Sequence, residues 1–399
     1  MPRPFLYTFS KLIAATLLCT MSAFSDAEQL FIGLDADVSG NSKIGGIAIK
    51  RGAQIAIDEI NASGGIKGKQ LSLLVRDHKG NPARGLSNLK KFSNQENLIA
   101  VLGGVHTPVI LQELELIHSN ELLYLVPWAA GTPVTDNNYS PNYVFRASLR
   151  DSDAGAVLVN HAVKNGATKL SLVLERTGWG RSNEASMKRA AQAQGVDIVG
   201  IHWVNWGTQD LKEEVAVIKS EMADTIMLVA NVPEAVALLK AVVSNEELSE
   251  MPIVSHWGVA GGNFVSELGL NNLNKLNLTT IQTFSFVRAY NKERAQSFLK
   301  AYRDKYDPSA DEKNIPGVVG LAQAYDLVKM LSIAANNSNS LTMPDLRDSF
   351  EKITKYDGLM RQYDTPFANG KNEALTPEDY FMARFDETGN IVPLQPLLK

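Results

Sequence analysis

Apolar runs alternate with amphipathic segments along most of the chain, and this alternation predicts the fold. Leu98–Leu102 is an apolar run long enough for a buried strand, Pro108–Ser119 carries apolar residues at helical spacing, and Leu122–Val126 is a second apolar run. Such a strand–helix–strand unit joins two parallel strands through a right-handed crossover. The loops after the two strands, residues 103–107 and 127–133, should therefore share one edge of the sheet, where doubly wound sheets bind ligands.

The same alternation precedes this unit and restarts after it. A strand over Gln29–Leu34 opens the first series, and a crossover near Arg150–Asp153 leads to a second series that begins with a helix over Ala154–Asn165 and a strand over Lys169–Leu174. This pattern is typical of parallel sheets covered by helices. The predicted fold class is α/β, with two doubly wound parallel-sheet lobes joined by a three-strand hinge.

The order of the elements predicts how the chain divides between the lobes. We expect a signal peptide over residues 1–27, a first lobe of residues 28–148 with 280–360, and a second lobe of residues 149–279 with 361–399. Several crossings between two lobes make a hinge, and the cleft between the lobes is then the natural ligand site.

The first residues have the pattern of an export signal. Arg3 and Lys11 supply positive charge, the apolar run Leu12–Phe24 is too short to span a membrane, and the small residues Ser25 and Ala27 follow it. No later run was identified as membrane-spanning, so the sequence predicts a soluble mature protein in the periplasm.

Composition argues against several classes of protein. A formal net charge of −4 over 399 residues gives no support for a nucleic-acid partner. The single cysteine, Cys19, lies in the export signal, so no disulfide or thiolate chemistry is expected after cleavage. Gly103 and Gly104 lack the lysine of a phosphate-binding loop, and the histidines lack metal-ligand spacing. We expect no metal site, no cofactor and no enzymatic activity.

Several segments resemble one family of ligand receptors. The first hinge strand is matched by Arg146, Asp151 and Asp153, and the mature N-terminal region by Ile32–Gly40, Arg51–Asn61 (RGAQIAIDEIN) and Gly64–Gly68 (GGIKG). In these residues the chain resembles the type I periplasmic binding proteins, specifically the leucine/isoleucine/valine-binding branch of ABC-transporter receptors. The resemblance implies a receptor that is not an enzyme and that delivers a small molecule to a membrane permease.

The resemblance also implies the ligand contacts of the first lobe. In the family the ligand's carboxylate sits on the two loops described above, and the matching positions are Thr107, Trp128 and Ala130. The hydroxyl and N–H of Thr107 and the backbone N–H groups of the other two residues can donate to a carboxylate or carbonyl. His106 could add a donor, or it could be a surface or packing residue.

The second lobe departs from the family pattern. Trp179, Asn231 and Trp257 occupy the positions of the aromatic and acidic residues that hold an ammonium group, and Trp257 stands where the acid belongs. An unpaired buried ammonium is costly, which argues against a plain α-amino acid. Asp35 or Asp37 could replace the acid from the first lobe; the alternative is a capping or solvated role. The tryptophans form either an aromatic clamp for a planar or cationic ligand or part of the core.

Two functions remain open at this point. The first is a periplasmic receptor that captures a small organic ligand (amino-acid-like, aromatic, or another carboxylate or amide) by hinge closure and delivers it to an ABC importer. The alternative is a ligand sensor that signals to a regulatory partner such as a sensor kinase. Both require a small-molecule ligand in the cleft, and the sequence does not separate them.

Overall fold

A five-stranded parallel sheet forms the centre of the first lobe in the computed structural model, which describes Met1 and residues 29–394. The strands stand in the order β2-β1-β3-β4-β5. Apart from Met1, the predicted signal peptide lies outside the described residues. The strands are β1 (Leu30–Ala36), β2 (Leu71–Asp77), β3 (Leu98–Leu102), β4 (Tyr124–Val126) and β5 (Val144–Arg146). The helices that follow the first three strands are α1 (Lys43–Ala62), α2 (Pro82–Phe92) and α3 (Thr107–Ser119).

A seven-stranded sheet forms the second lobe, in the order β14-β13-β10-β9-β8-β6-β7. Its strands are β6 (Lys169–Glu175), β7 (Asp197–Val204), β8 (Thr225–Val229), β9 (Ile253–Ser255), β10 (Leu278–Gln282), β13 (Phe381–Phe385) and β14 (Ile391–Pro393). The first five are parallel, but β13 and β14 pair antiparallel at the edge. The predicted parallel sheet of the second lobe is therefore extended at one edge by an antiparallel pair, because β13 enters from the third chain crossing and a tight turn joins it to β14.

Helices surround this second sheet and then return to the first lobe. The second-lobe helices are α4 (Asp151–Lys164), α5 (Gly178–Gln194), α6 (Lys212–Ser220), α7 (Val232–Val243), α8 (Phe264–Leu268) and α9 (Leu270–Leu273). The elements after β10 that return to the first lobe are α10 (Lys292–Lys305), α11 (Val318–Asn337), α12 (Met343–Phe350), β11 (Lys355–Asp357) and β12 (Gln362–Asp364).

Helix α11 packs closely along α1 in the first lobe. At Gly52 an added Cβ would lie 1.9 Å from the Leu321 carbonyl oxygen, so only glycine allows the two backbones to approach this closely. Among the described residues α11 is the one helix long and apolar enough to cross a membrane, and 78% of its apolar window is buried inside the structure. This burial fits a core helix of the first lobe.

Three chain crossings join the lobes. The first follows β5, whose Arg146 exchanges backbone hydrogen bonds with Asn372 and Ala374 at 2.8 and 2.9 Å. The second follows Gln282, the last residue of β10, and the third precedes β13. Because β10 lies in the second sheet and β12 pairs with β11, we propose that the lobe boundaries fall after residue 282 and between residues 374 and 380, instead of at 280 and 360.

The two lobes touch in this structure. The Gly45 N–H near the start of α1 donates to the Gly261 carbonyl of the second lobe at 2.9 Å. The Thr132 N–H donates to the Ser182 hydroxyl on α5 at 3.0 Å. The two lobes are thus hydrogen-bonded to each other at two separate points across the cleft.

Candidate ligand-binding site

A narrow cavity lies between the lobes, at the carboxyl ends of the strands. Its walls come from the loops after β3 and β4 on one side, and from residues near the ends of β6, β8 and β9 on the other. The structure brings seven of the eight predicted site residues to this cavity: His106, Thr107, Trp128, Ala130, Trp179, Asn231 and Trp257.

The first-lobe wall offers hydrogen-bond donors. The Thr107 hydroxyl accepts a bond from the Gly131 N–H at 3.0 Å, which fixes the two loops against each other and leaves the hydroxyl proton free to be donated. Within residues 29–394, the N–H groups of Thr107 and Ala130 donate to no protein acceptor. Thr107 is the first residue of α3, where unpaired N–H groups and the helix dipole favour a negatively charged or carbonyl oxygen.

His106 precedes α3 and stays neutral. Its ring packs edge-on against Trp206, with ring centroids 5.7 Å apart. Burial lowers the pKa of His106 to about 4, because a charged imidazole loses its hydration there. Its Nδ1 has no hydrogen-bond partner among the described residues. His106 therefore provides a neutral ring, with one nitrogen available, instead of a positive charge.

Three tryptophans form the aromatic wall. Trp128 of the first lobe meets Trp257 of the second, with ring centroids 5.6 Å apart and planes at 47°. Trp179 lies in the first turn of α5, and its indole Nε1 donates to no acceptor in the described part of the chain. All three are at least nine-tenths buried. These rings thus pack within the protein interior and also line the cavity. A role in the core and a role as an aromatic clamp are therefore compatible.

A buried histidine fixes the turn that carries Trp257. The Trp257 N–H donates to His256 Nδ1 at 2.9 Å, and His256 Nε2 lies 3.1 Å from Asp151 Oδ1 at the start of α4. Because Nδ1 accepts a hydrogen bond, the ring proton is on Nε2, and the Nε2–H group donates a hydrogen bond to the Asp151 carboxylate. The Trp179 ring packs edge-on against His256 at 5.0 Å. Asp151, expected at the hinge, therefore helps to hold the second-lobe aromatic wall.

Glu175 is the acidic cavity residue that sequence reasoning missed. It ends β6, and its carboxyl group accepts from the Asn231 N–H at 2.5 Å, the Asn231 side-chain amide at 3.1 Å and the Trp206 indole at 2.5 Å. Burial, then the neighbouring charge of Glu234, raises the pKa of Glu175 to about 8. The signal for it was an acidic residue at the carboxyl end of an apolar strand, where parallel sheets place their ligand contacts.

Asp35, the eighth predicted residue, does not line the cavity. It lies on β1 and is 1% exposed; its carboxylate accepts from Asn88 at 2.8 Å. Its other oxygen faces Glu113, and burial raises the pKa of Asp35 to about 6. Asp37 accepts from the backbone N–H groups of residues 39, 40 and 42. The side chain of Asp35 is turned into the core, and that of Asp37 caps its own loop. Neither position therefore supports the expectation that a first-lobe aspartate holds a ligand's ammonium group.

The raised pKa of Glu175 gives a prediction that tryptophan fluorescence can test. Its proton should leave near pH 8, and the emission of Trp206 should change with the same midpoint because the indole donates to this carboxyl group. Folded Glu175 keeps its proton at pH values where the unfolded chain has lost it, so its contribution to the free energy of unfolding falls as pH rises from about 4.5 to 8.

The matched variant for this prediction is Glu175→Gln, because glutamine has the shape of a protonated glutamate side chain and stays neutral at every pH. Subtracting its pH titration from that of the wild type isolates the Glu175 signal from the other tryptophans. A wild-type midpoint below pH 6, or the same transition in Glu175→Gln, would show that Glu175 is not the titrating group.

Comparison with known proteins identifies the family. A family model described as "Periplasmic binding protein" matches residues 29–390. The chain belongs to this periplasmic binding protein family. This confirms the resemblance that the sequence motifs indicate, and proteins of this family bind small molecules outside the cytoplasm.

Relatives and solved structures agree with this membership. The chain is 28% identical over 214 residues to the Leu/Ile/Val-binding protein homolog 3 of Brucella melitensis; the match covers 53% of this chain and 56% of the relative, so it spans just over half of that protein. A periplasmic binding protein type 1 of Bordetella pertussis is similar with a TM-score of 0.82 and 20% identity, covering 92% of this chain and 100% of that one. LivJ of Streptococcus pneumoniae, a branched-chain amino acid transporter substrate binding protein solved with isoleucine, has a TM-score of 0.76 and 22% identity, with coverage of 92% and 100%. These binding proteins confirm the two-lobed α/β fold.

Proposed function

We propose that this chain is a receptor that captures a small organic ligand in the central cavity and delivers it to the membrane permease of an ABC importer. The observation that carries the proposal is the pair of unpaired N–H groups on Thr107 and Ala130, which belong to residues that line a narrow, tryptophan-walled cavity between the two lobes. The names of the relatives support a transport role, since one is a Leu/Ile/Val-binding protein homolog and another is a branched-chain amino acid transporter substrate binding protein.

The ligand should carry a carboxylate or carbonyl oxygen on an apolar or aromatic body. The oxygen would bind the N–H groups of Thr107 and Ala130, and the body would lie against Trp128, Trp179 and Trp257. The second-lobe acid available to an ammonium group is Glu175, which is mostly protonated at pH 7 because its pKa is about 8. An α-amino acid would therefore have to expel the Glu175 proton on binding.

Capture would follow from a population shift between open and closed arrangements of the lobes. In the closed arrangement described here, Gly45 bonds to Gly261 and Thr132 bonds to Ser182 across the cleft. A ligand that contacts both lobes stabilises this arrangement by its differential affinity for it. The three chain crossings provide the hinge.

Ligand screening tests the proposal directly. Branched-chain amino acids, aromatic acids and amides are added to the protein, and thermal unfolding is followed. A ligand specific to the folded state adds about 2.7 kcal/mol at a hundredfold excess over its Kd. Calorimetry in buffers of different ionisation enthalpy then counts the protons released: near one for an amino acid at pH 7, and near zero for an acid without an ammonium group. Failure of all three classes to bind contradicts the proposed ligand chemistry.

Removal of the Thr107 hydroxyl should weaken binding of the ligand found. We expect Thr107→Val to raise Kd about 10- to 100-fold, because the ligand oxygen loses a donor and Gly131 loses its acceptor. The matched control is Thr279→Val on β10, away from the cavity, which should leave Kd unchanged. Equal Kd values for both variants and the wild type would show that the ligand does not accept a hydrogen bond from the Thr107 hydroxyl.

A further inference from the structure

The central cavity is smaller than an organic ligand. Its volume is about 10 Å³, which is room for about one water molecule. A ligand therefore fits between the lobes only if a side chain moves aside or if the lobes close less far. Trp128, Trp179 and Trp257 are poorly placed to move, because each is at least nine-tenths buried and interior rings are closely packed.

Trp206 is the fourth tryptophan of the cavity, and it is 40% exposed. It lies in the loop between β7 and α6, at the outer end of the cavity. Its side chain also lines a second concavity at the mouth of the cleft, together with Asp37 of the first lobe and Glu234 of the second. The Trp206 ring thus separates the central cavity from the mouth, and its departure would join the two volumes.

Two contacts hold the Trp206 ring, one from each lobe. The indole Nε1 donates to Glu175 Oε2 in the second lobe at 2.5 Å. The ring packs edge-on against His106 of the first lobe, with ring centroids 5.7 Å apart. Glu175 and His106 both line the cavity. A flat ligand with an N–H donor would make these same two contacts if it took the place of the indole.

The loop that carries Trp206 has an anchor that does not depend on the indole. The Gly207 N–H donates to Glu234 Oε1 at 2.7 Å. The Trp206 ring can therefore leave by rotation of its side chain alone, and exposed side chains change rotamer rapidly. Its departure takes one donor from the buried Glu175 carboxyl group, and a buried acceptor that loses its donor is costly unless another replaces it.

We propose that Trp206 occupies a subsite of the ligand and that the ligand displaces it. The proposal rests on the function proposed above, and it narrows the ligand class to a planar aromatic ring that carries an N–H donor. The ligand ring packs against His106, its N–H donates to Glu175, and the Trp206 side chain turns toward the mouth of the cleft. A ring without a donor leaves the Glu175 oxygen unpaired, so the subsite discriminates against it.

NMR of the isotope-labelled wild type tests displacement, with unlabelled indole as the probe and Trp206→Phe to assign the Trp206 indole N–H signal. Trp206 and Glu175 belong to the same lobe, so opening of the lobes alone preserves their hydrogen bond, whereas displacement breaks it. We expect this N–H to exchange with water at least about tenfold faster when indole saturates the protein. An unchanged exchange rate at saturation overturns the proposal.

Calorimetric titration of Trp206→Ala tests the subsite without the displacement step. Indole should bind this variant at least about tenfold more tightly than the wild type, because no ring has to leave. The control is Tyr139→Ala, which removes a ring that is 41% exposed and stacks on His118, with ring centroids 3.8 Å apart, outside the cavity. It should bind indole as the wild type does. Equal affinity of indole for the two variants, or no binding to either, overturns the proposal.

A second probe tests the role of Glu175 as the acceptor. 1-Methylindole is more apolar than indole but lacks the N–H, and we expect it to bind Trp206→Ala at least about tenfold more weakly than indole does. Equal or tighter binding of 1-methylindole overturns the assigned hydrogen bond.

These measurements keep the subsite distinct from the proposed function. Indole binding to Trp206→Ala, combined with failure of every carboxylate and amide to bind the wild type, would contradict the proposed ligand chemistry and support the subsite. A carboxylate or amide that binds the wild type at saturation without changing the exchange of the Trp206 N–H would support the proposed function and overturn the subsite.

Discussion

Arg146→Leu should lower the free energy of unfolding by about 3–5 kcal/mol, the cost expected when one partner of a buried ion pair is removed. The Arg146 guanidinium is fully buried and binds both carboxylate oxygens of Glu373, at 2.5 and 2.9 Å. It also donates to the carbonyls of Ala129 and Gly131 and to the Thr135 hydroxyl. Denaturant unfolding measures the loss.

The same contacts connect Arg146 to the ligand site. Its two carbonyl partners flank Ala130, whose N–H we propose binds the ligand. Arg146→Lys, which keeps the charge but not the fork of donors, should therefore lower affinity even where it folds. Lys188→Met is the control: it removes an exposed pair with Glu184 and should cost less than about 1 kcal/mol. A similar cost for Lys188→Met and Arg146→Leu would contradict this account of the buried pair.

Trp128→Ala should cost about 3–5 kcal/mol of stability and should also abolish tight ligand binding. The indole is 1% exposed and fills the space between α1, α11 and the opposite lobe. A Cβ at Gly320 would lie 2.4 Å from Trp128 Cε3, and one at Gly45 would lie 3.3 Å from Cζ3, so glycines on both helices make room for this ring. Its loss removes both core volume and the contact with Trp257.

Unfolding and binding measured on the same variants separate the two effects of Trp128. Trp128→Phe should recover part of the stability, since a smaller aromatic ring still fills the space between the helices. Tyr139→Ala serves as the control, because Tyr139 is 41% exposed and its removal should cost about 1 kcal/mol or less. A fully stable Trp128→Ala would show that the neighbouring helices collapse into the space without penalty.

The strands and helices were predictable where hydrophobic periodicity is strong. The strand–helix–strand order from β3 to β4 is confirmed, although α3 begins one residue earlier than predicted, at Thr107, and β4 begins two residues later, at Tyr124. The sequence placed the residues of β13 and β14 in the second lobe, but their antiparallel pairing was not predictable, because it depends on the third chain crossing and not on any local pattern. A short strand at a sheet edge has too few residues for its sequence to indicate which strand it pairs with, or in which direction.

The candidate site was predictable only in part, for physical reasons. Residues on loops that follow strands, such as Thr107 and Trp128, were found because topology brings those loops together. Glu175 was missed because it belongs to the strand itself, and its importance comes from a neighbour distant in sequence, Trp206. Asp35 lies outside the cavity because its side chain turns toward Asn88 and Glu113 in the core, a direction that the sequence pattern does not give.

The hydrogen bond between the Gly45 N–H and the Gly261 carbonyl provides a way to measure opening of the cleft. It joins two main-chain groups, so no side-chain substitution removes it without a change of the backbone itself. The Gly45 N–H is one of the first in α1 and has no acceptor within its own helix, so separation of the lobes would leave it open to water. Its hydrogen–deuterium exchange rate would then report the open fraction of the receptor, and a bound solute would slow that exchange in proportion to its occupancy.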